Sequence, residues 1–383
     1  MVLLAVFAPA ALARTYYVSA NGHDRRSGRS PHAAWRTITR VNRAHLKPGD
    51  RVLFRGGDSF SDATLVPHAS GTASRPIVFG SYGRRDARLH HAVAAIWFSG
   101  VKHLLFRDLD LSNDGTNGAV VAGSSGAPSI AITIWRCRVH DTAGVGVLSP
   151  NPGDSRWRIL EDRIVRTGDS GVIVEGSHDT IAWSAIVRTG SNSAIAWDKH
   201  GIYVKGPDVL IADNLISGFQ ADGVSLRSAN ARVVRNRIER GRVGVAYFDY
   251  SSRVGTSMVL RNDVRDVMTA FYFSTEANAT SGQAPVENFV VARNLFELTG
   301  NSTAVDVSGG RYSSLSIVNN VIAGRFGVAV VANSPLAGGR YLEGDNVLAG
   351  GGTFDWNGDW LKLDAYRTAS GQGQRDRVLS IAG

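Results

Sequence analysis

Residues 198–228 carry two cations at one position of a repeated phrase. Lys205 closes Gly201-Ile-Tyr-Val-Lys205, and Arg227 closes Gly223-Val-Ser-Leu-Arg227, twenty-two residues later. An earlier copy, Gly171-Val-Ile-Val-Glu175, ends on an acid. If each copy is one rung of a stack, Glu175, Lys205 and Arg227 stand on consecutive rungs. Tyr203 and His200 lie close by, and Phe248 and Tyr272 follow further along the chain.

That set of side chains suits β-elimination on a uronic acid within a glycan. Such a sugar has an acidic C5 hydrogen beside its carboxylate. Removing that hydrogen and expelling the O4 substituent leaves an unsaturated ring. The carboxylate must be neutralised, or the developing dianion costs too much. Arg227 supplies a rigid fork of donors for this task, or acts as the acid. The base must be neutral when it acts, and a partly desolvated lysine beside another cation gives up its proton more readily. Lys205 is therefore the expected base. Glu175 works against this by favouring the ammonium. Tyr203 and His200 remain alternative acids or bases, and Tyr203, Phe248 and Tyr272 offer ring faces to a sugar.

The elements that must position these groups follow from the phrase itself. Eight copies recur at intervals of 21 to 34 residues, beginning at Gly144, Gly171, Gly201, Gly223, Gly244, Ala270, Ala304 and Gly327. Within each copy the residues one and three after the small residue are apolar, and those at two and four vary, which is the period of a strand with one buried face. A second ladder runs in step, its strands ending at Asp108, Asp162, Asn214, Asn236, Asn262, Asn294, Asn320 and Asn346. Asn tolerates positive φ, and its amide can bond to the Asn of the next rung, so these residues are expected to hold turns. Short strands in a low-twenties repeat predict an all-β chain, a single-domain right-handed parallel β-helix. A short helix within 35–46 would cap its N-terminal end, within a cap of about 15–60, and 353–383 would cap the other.

Composition limits the partners. Forty-three Gly and 20% charged residues suit a turn-dense fold. The net charge of +9 calls for an anionic partner. The excess is mostly Arg, read as spread along the chain, so an acidic polysaccharide is expected and nucleic acid is not. Cys137 reads as a buried strand thiol. Residues 1–13 read as a signal peptide, no other apolar run is long enough to span a bilayer, and a secreted or periplasmic monomer is expected.

The segments 16–24, 27–31, 35–38 and 46–57, together with the cap-then-stack plan, resemble secreted right-handed parallel β-helix proteins, many of them polysaccharide lyases. This resemblance covers nearly the whole chain beyond residue 13. Lys205, Asn214 and Arg227 at their spacing are similar to the chondroitinase B and alginate lyase family, polysaccharide lyase family six. In that family a Lys in a Lys-Ser step is the base, and an Arg about one rung later, usually followed by His-Gly, assists as acid. Here Lys205 precedes Gly206, and Arg227 precedes Ser228-Ala229. The resemblance implies Ca²⁺ near Lys205, with Asp198 and His200 at the corresponding positions; Glu175, one rung below Lys205, is a further candidate ligand on its own position. Two other readings stand beside it. One is a glycoside hydrolase using paired carboxylates drawn from Asp198, Asp222, Asp249 and Glu276; the other is a non-catalytic glycan-binding protein.

Overall fold

The computed structural model describes residues 12–191, 199–249, 255–275, 287–309, 312–332 and 340–379. Strands of one rung pair in parallel with those of the next along three faces. The first face is a 13-stranded sheet running from Thr15–Val18 to Arg340–Gly344. The second face includes Arg138–Thr142, Arg163–Thr167, Ala185–Thr189 and Leu215–Phe219. The third includes Val145–Ser149, Val172–Val174, Ile202–Val204 and Asp222–Leu226. Two 13-residue strands, Arg237–Asp249 and Asp263–Thr275, run through both of these faces.

Alternation along each short strand builds the core. Val172, Val174, Ile202, Val204, Val224 and Leu226 point inward and are fully buried. Each such side chain stabilises the fold by roughly 1.5–3 kcal/mol. Aromatic rings stack along the interior, as Phe79 and Phe98 do on Phe106 at 5.4 and 5.7 Å. One hydrophobic cluster runs from Val18 to Tyr366.

The Asn ladder is present, with one correction. Asn214, Asn236, Asn262, Asn294, Asn320 and Asn346 are buried. The residue before each of them takes the left-handed conformation: Asp213, Arg235, Arg261, Arg293, Asn319 and Asp345 have φ between 56° and 60°. The turn strain therefore sits on an exposed or half-exposed neighbour, and the Asn supplies hydrogen bonds. Both the backbone N–H and the Nδ2 of Asn236 donate to Asn262 Oδ1, at 2.9 and 3.0 Å, and Nδ2 also donates to the Ile211 carbonyl at 2.9 Å. Register brings a second correction. Val147 pairs with Val172 and Val305 with Val330, so the phrases beginning at Gly144 and Gly327 are each offset by two residues from their neighbouring copies.

The N-terminal cap holds a helix at Ile38–Asn42, shorter than the apolar pattern predicts, with the Thr37 hydroxyl accepting from the Arg40 N–H. At the other end an antiparallel hairpin, Thr353–Trp356 and Asp359–Leu361, is followed by a helix at Leu363–Ser370 that sequence reading did not anticipate. Tyr366 of this helix stacks on Phe354 at 4.3 Å and closes the core. Among the described residues, no helix is long and apolar enough to cross a membrane. Cys137 is buried, and burial pushes its thiol up.

Candidate functional site on the third face

The register places the expected residues in two adjacent columns. Val174, Val204, Leu226 and Tyr247 pair in succession, so Glu175, Lys205, Arg227 and Phe248 follow them in one column. The Lys205 N–H donates to the Val174 carbonyl and the Arg227 N–H to the Val204 carbonyl, each at 2.9 Å. Tyr203, Ser225, Ala246 and Tyr272 form the second column. Inward valine, isoleucine and leucine on the alternate positions force both columns outward.

The two cations differ in environment, and the expectation of Lys205 activated by a neighbouring cation is corrected. Lys205 is 41% exposed, and its Nζ lies 2.6 Å from Glu175 Oε1. Arg227 is 7% exposed. Its Nη1 donates to Ser225 Oγ at 2.7 Å and to the Leu226 carbonyl at 3.4 Å. Its guanidinium lies over the Phe248 ring, with Cζ 3.7 Å from the centroid. Tyr203 stands between the cations: Lys205 Nζ and Arg227 Cζ are each 5.2 Å from its ring centre. Phe248 meets Tyr272 edge to face at 5.6 Å. Lys205 and Arg227 thus flank a phenol instead of sharing open water.

His200 is buried at 2% exposure and packs against Tyr203, with ring centroids 4.8 Å apart. Its Nδ1 lies 3.1 Å from Asp222 Oδ2 and 3.3 Å from the Asp222 backbone nitrogen. Its Nε2 has no hydrogen-bond partner among the described residues. As an exposed acid or base, His200 is therefore replaced by a buried group that fixes the Tyr203 ring. The His200–Asp222 contact was missed, although both residues precede a glycine that opens a copy of the phrase.

Lys205-Gly206 departs from a Lys-Ser step for a steric reason. A Cβ at position 206 would lie 1.5 Å from the Gly176 carbonyl oxygen, so only glycine lets these two rungs approach.

The calcium expectation turns on Asp198, His200 and Glu175. Asp198 lies outside the described residues, as do Glu276 and the Asp249 side chain. Glu175 commits an oxygen to the Lys205 ammonium, and His200 faces Asp222. Among the described residues, no group of three or more His, Cys, Asp or Glu is arranged to hold a metal ion. Ca²⁺ takes six to eight oxygens, and of the expected ligands only Glu175 and His200 lie among the described residues.

A second polar cluster, unassigned by sequence reasoning, lies on the second face. His140 bridges Asp110 Oδ1 and Asp141 Oδ2, each at 2.7 Å. The hydrogen bond to Asp110 raises the imidazole pKa, and Arg166 holds the Asp141 carboxyl well below the usual carboxylate range. These charges are mutually satisfied, which makes the cluster a structural brace.

The comparisons agree on the architecture. The family model described as "Right handed beta helix region" matches residues 182–337. The chain is a right-handed parallel β-helix. The A-module of a mannuronan C-5 epimerase from Azotobacter vinelandii is 14% identical, with a TM-score of 0.58 over 88% of this chain and 91% of that one. A GH136 lacto-N-biosidase from Eubacterium ramulus is 14% identical, with a TM-score of 0.50 over 96% of this β-helix and 68% of that chain. A lacto-N-biosidase from Bifidobacterium longum is 42% identical over 76 residues. That match spans 19% of this chain and 5% of the length of that relative.

Proposed function

We propose that this β-helix cleaves an acidic, uronate-bearing polysaccharide by β-elimination on its third face. The observation that carries this reading is the in-register column of Glu175, Lys205, Arg227 and Phe248, with the Tyr203 phenol between the two cations. Fixed cations beside an outward phenol are what a carboxylate-bearing sugar and a proton abstraction both require.

The ion pair changes the roles expected from sequence. A lysine held against a carboxylate at 2.6 Å is an ammonium, and an ammonium donates. Lys205 then exchanges Glu175 for the sugar and supplies a proton to the departing O4. Tyr203 is the base, because its ring lies beside both cations. Tyr203 Oη takes the C5 proton, the C5–H electron pair becomes the C4–C5 double bond, and the C4–O4 bond breaks onto the proton from Lys205. Arg227 lies too deep to serve as the leaving-group acid; it stabilises the negative charge and fixes the rings of Tyr203 and Phe248. The same proposal places the enzyme outside the cytoplasm, because a polymer does not cross a membrane.

The match to lacto-N-biosidase favours a second reading, glycoside hydrolysis. Asp306 and Asp355 occupy one column two rungs apart, with Val331 between them. Two rungs span roughly 10 Å, near the carboxylate separation of an inverting hydrolase. Burial raises the Asp306 carboxyl pKa, as a general acid needs.

One assay separates the two. A panel of uronate polymers and neutral glycans is incubated with wild type, Lys205→Ala and Asp306→Asn. Elimination gives ultraviolet absorbance that disappears in Lys205→Ala alone. Reducing ends without absorbance, lost in Asp306→Asn alone, would replace the lyase reading with the hydrolase.

A further inference from the structure

The +9 net charge is not spread along the chain. Residues 14–55 hold ten Lys and Arg against two Asp, a net +8. Most of the excess therefore sits at the N-terminal end, away from the third-face site. Much of it converges on one cavity of about 520 Å³. Arg14, Arg29, Arg40 and Arg43 line it together with His45, and no carboxylate lines it.

Two of these arginines sit over aromatic rings. Tyr16 and Trp35 stack at 4.7 Å with 18° between their planes. Arg29 Cζ lies 5.2 Å from the Tyr16 ring and Arg40 Cζ 4.2 Å from the Trp35 ring. Trp35 is itself fixed, being 1% exposed with its indole N–H donating to the Arg26 carbonyl at 3.0 Å. A guanidinium over a ring can turn its remaining N–H groups to an oxyanion; Arg40 Nε already donates to the Asp24 carbonyl at 3.3 Å, which leaves its Nη groups for that role. Among the described residues, none of the four arginines forms an ion pair with a carboxylate. Asp24, which approaches Arg40, already accepts from the Arg36 and Thr37 N–H groups and the Thr37 hydroxyl. Four like charges around one hollow repel each other until an anion enters.

We infer that the N-terminal cap contains an exosite for the carboxylate or sulfate groups of an acidic oligosaccharide, separate from the third face. The cavity is large enough for one or two sugar rings. Its single concave form suits a sugar better than nucleic acid, which calls for a basic stripe following a backbone. An acidic polymer held here would stay tethered to the protein between encounters with any other site. This inference does not depend on the proposed elimination.

The test is calorimetric titration of the full chain at low and moderate salt. The probes are a galacturonate tetrasaccharide, a heparin tetrasaccharide, inorganic sulfate and a twelve-base-pair DNA duplex. Wild type, Arg29→Ala/Arg43→Ala and Lys205→Ala are compared. Both altered arginines are exposed, so the thermal melt of the double variant should match wild type. One of the tetrasaccharides should bind, and the uronate and sulfate arms identify the preferred group. Sulfate should compete, the double variant should bind about tenfold more weakly or worse, and Lys205→Ala should keep cap binding. Equal affinity in the double variant, no binding of either tetrasaccharide, or tighter binding of the duplex would overturn the inference. An inactive protein that still binds through the cap would sink the elimination reading and leave this one standing.

Discussion

The buried Asn corner and the outward column of the third face share one repeat, yet they are built on opposite rules. In the corner, Asn214, Asn236, Asn262, Asn294, Asn320 and Asn346 place the same amide on six successive rungs, and each of the first five bonds to the next. On the third face, Glu175, Lys205, Arg227 and Phe248 change type at each rung. A buried polar group must find a partner on the next rung, which limits the corner to short side chains that can bond there, Asp162 and Ser184 before the run of Asn. A solvent-facing column has no such obligation. Where it nevertheless gathers charge and aromatic rings, a ligand is a better reason than folding.

The comparison can be broken from either side. The largest effect is expected for Lys205→Ala, which should reduce elimination by about three orders of magnitude or more in a steady-state absorbance assay. Its melting temperature should stay near wild type, because the side chain is outside the core. Asn262→Ala should do the reverse. It removes the acceptor for two Asn236 donors and the Asn262 amide that donates to Val233 and Asn294. Denaturant unfolding should show a loss of about 2–4 kcal/mol, with activity per folded molecule unchanged.

Asp179 sharpens the buried side through pH. Its Oδ1 accepts from the Trp157 N–H at 2.8 Å, while Oδ2 has no hydrogen-bond partner among the described residues. Burial raises its pKa from 3.8 to about 7. The folded protein therefore holds a proton that the unfolded chain releases earlier, and this group's contribution falls as pH rises from about 4 to about 7. Asp179→Asn should remove that slope and gain about 2–4 kcal/mol at pH 8, read by unfolding at pH 5 and pH 8. The smallest effect is expected from Phe248→Ala. Loss of the ring under Arg227 should raise KM by about threefold to tenfold, with a smaller change in kcat.

Much of this was legible in the residues. The two-residue alternation of Val172, Val174, Ile202 and Val204 fixed which positions face the core, and the 22-residue spacing put Lys205 and Arg227 on neighbouring rungs. The Gly144 and Gly327 copies failed because a period-two pattern does not distinguish registers two residues apart. The concentration of arginines in residues 14–55 was visible in the sequence and overlooked, since no dense run marks it. Their convergence on one cavity depends on the Tyr16–Trp35 stack, which joins residues nineteen positions apart. The Leu363–Ser370 helix has a weak apolar pattern because it buries Tyr366 alone.

By itself the sequence determined a stacked parallel solenoid, its ladder of amides and the outward set of chemically capable groups. Each of these depends on near-neighbour periodicity that repeats along the chain. The tertiary structure alone decided that Lys205 pairs with Glu175, that Arg227 sinks onto Phe248 and that His200 turns to Asp222. Those outcomes depend on side-chain lengths, rotamers and burial between rungs, and a repeat pattern carries none of that information.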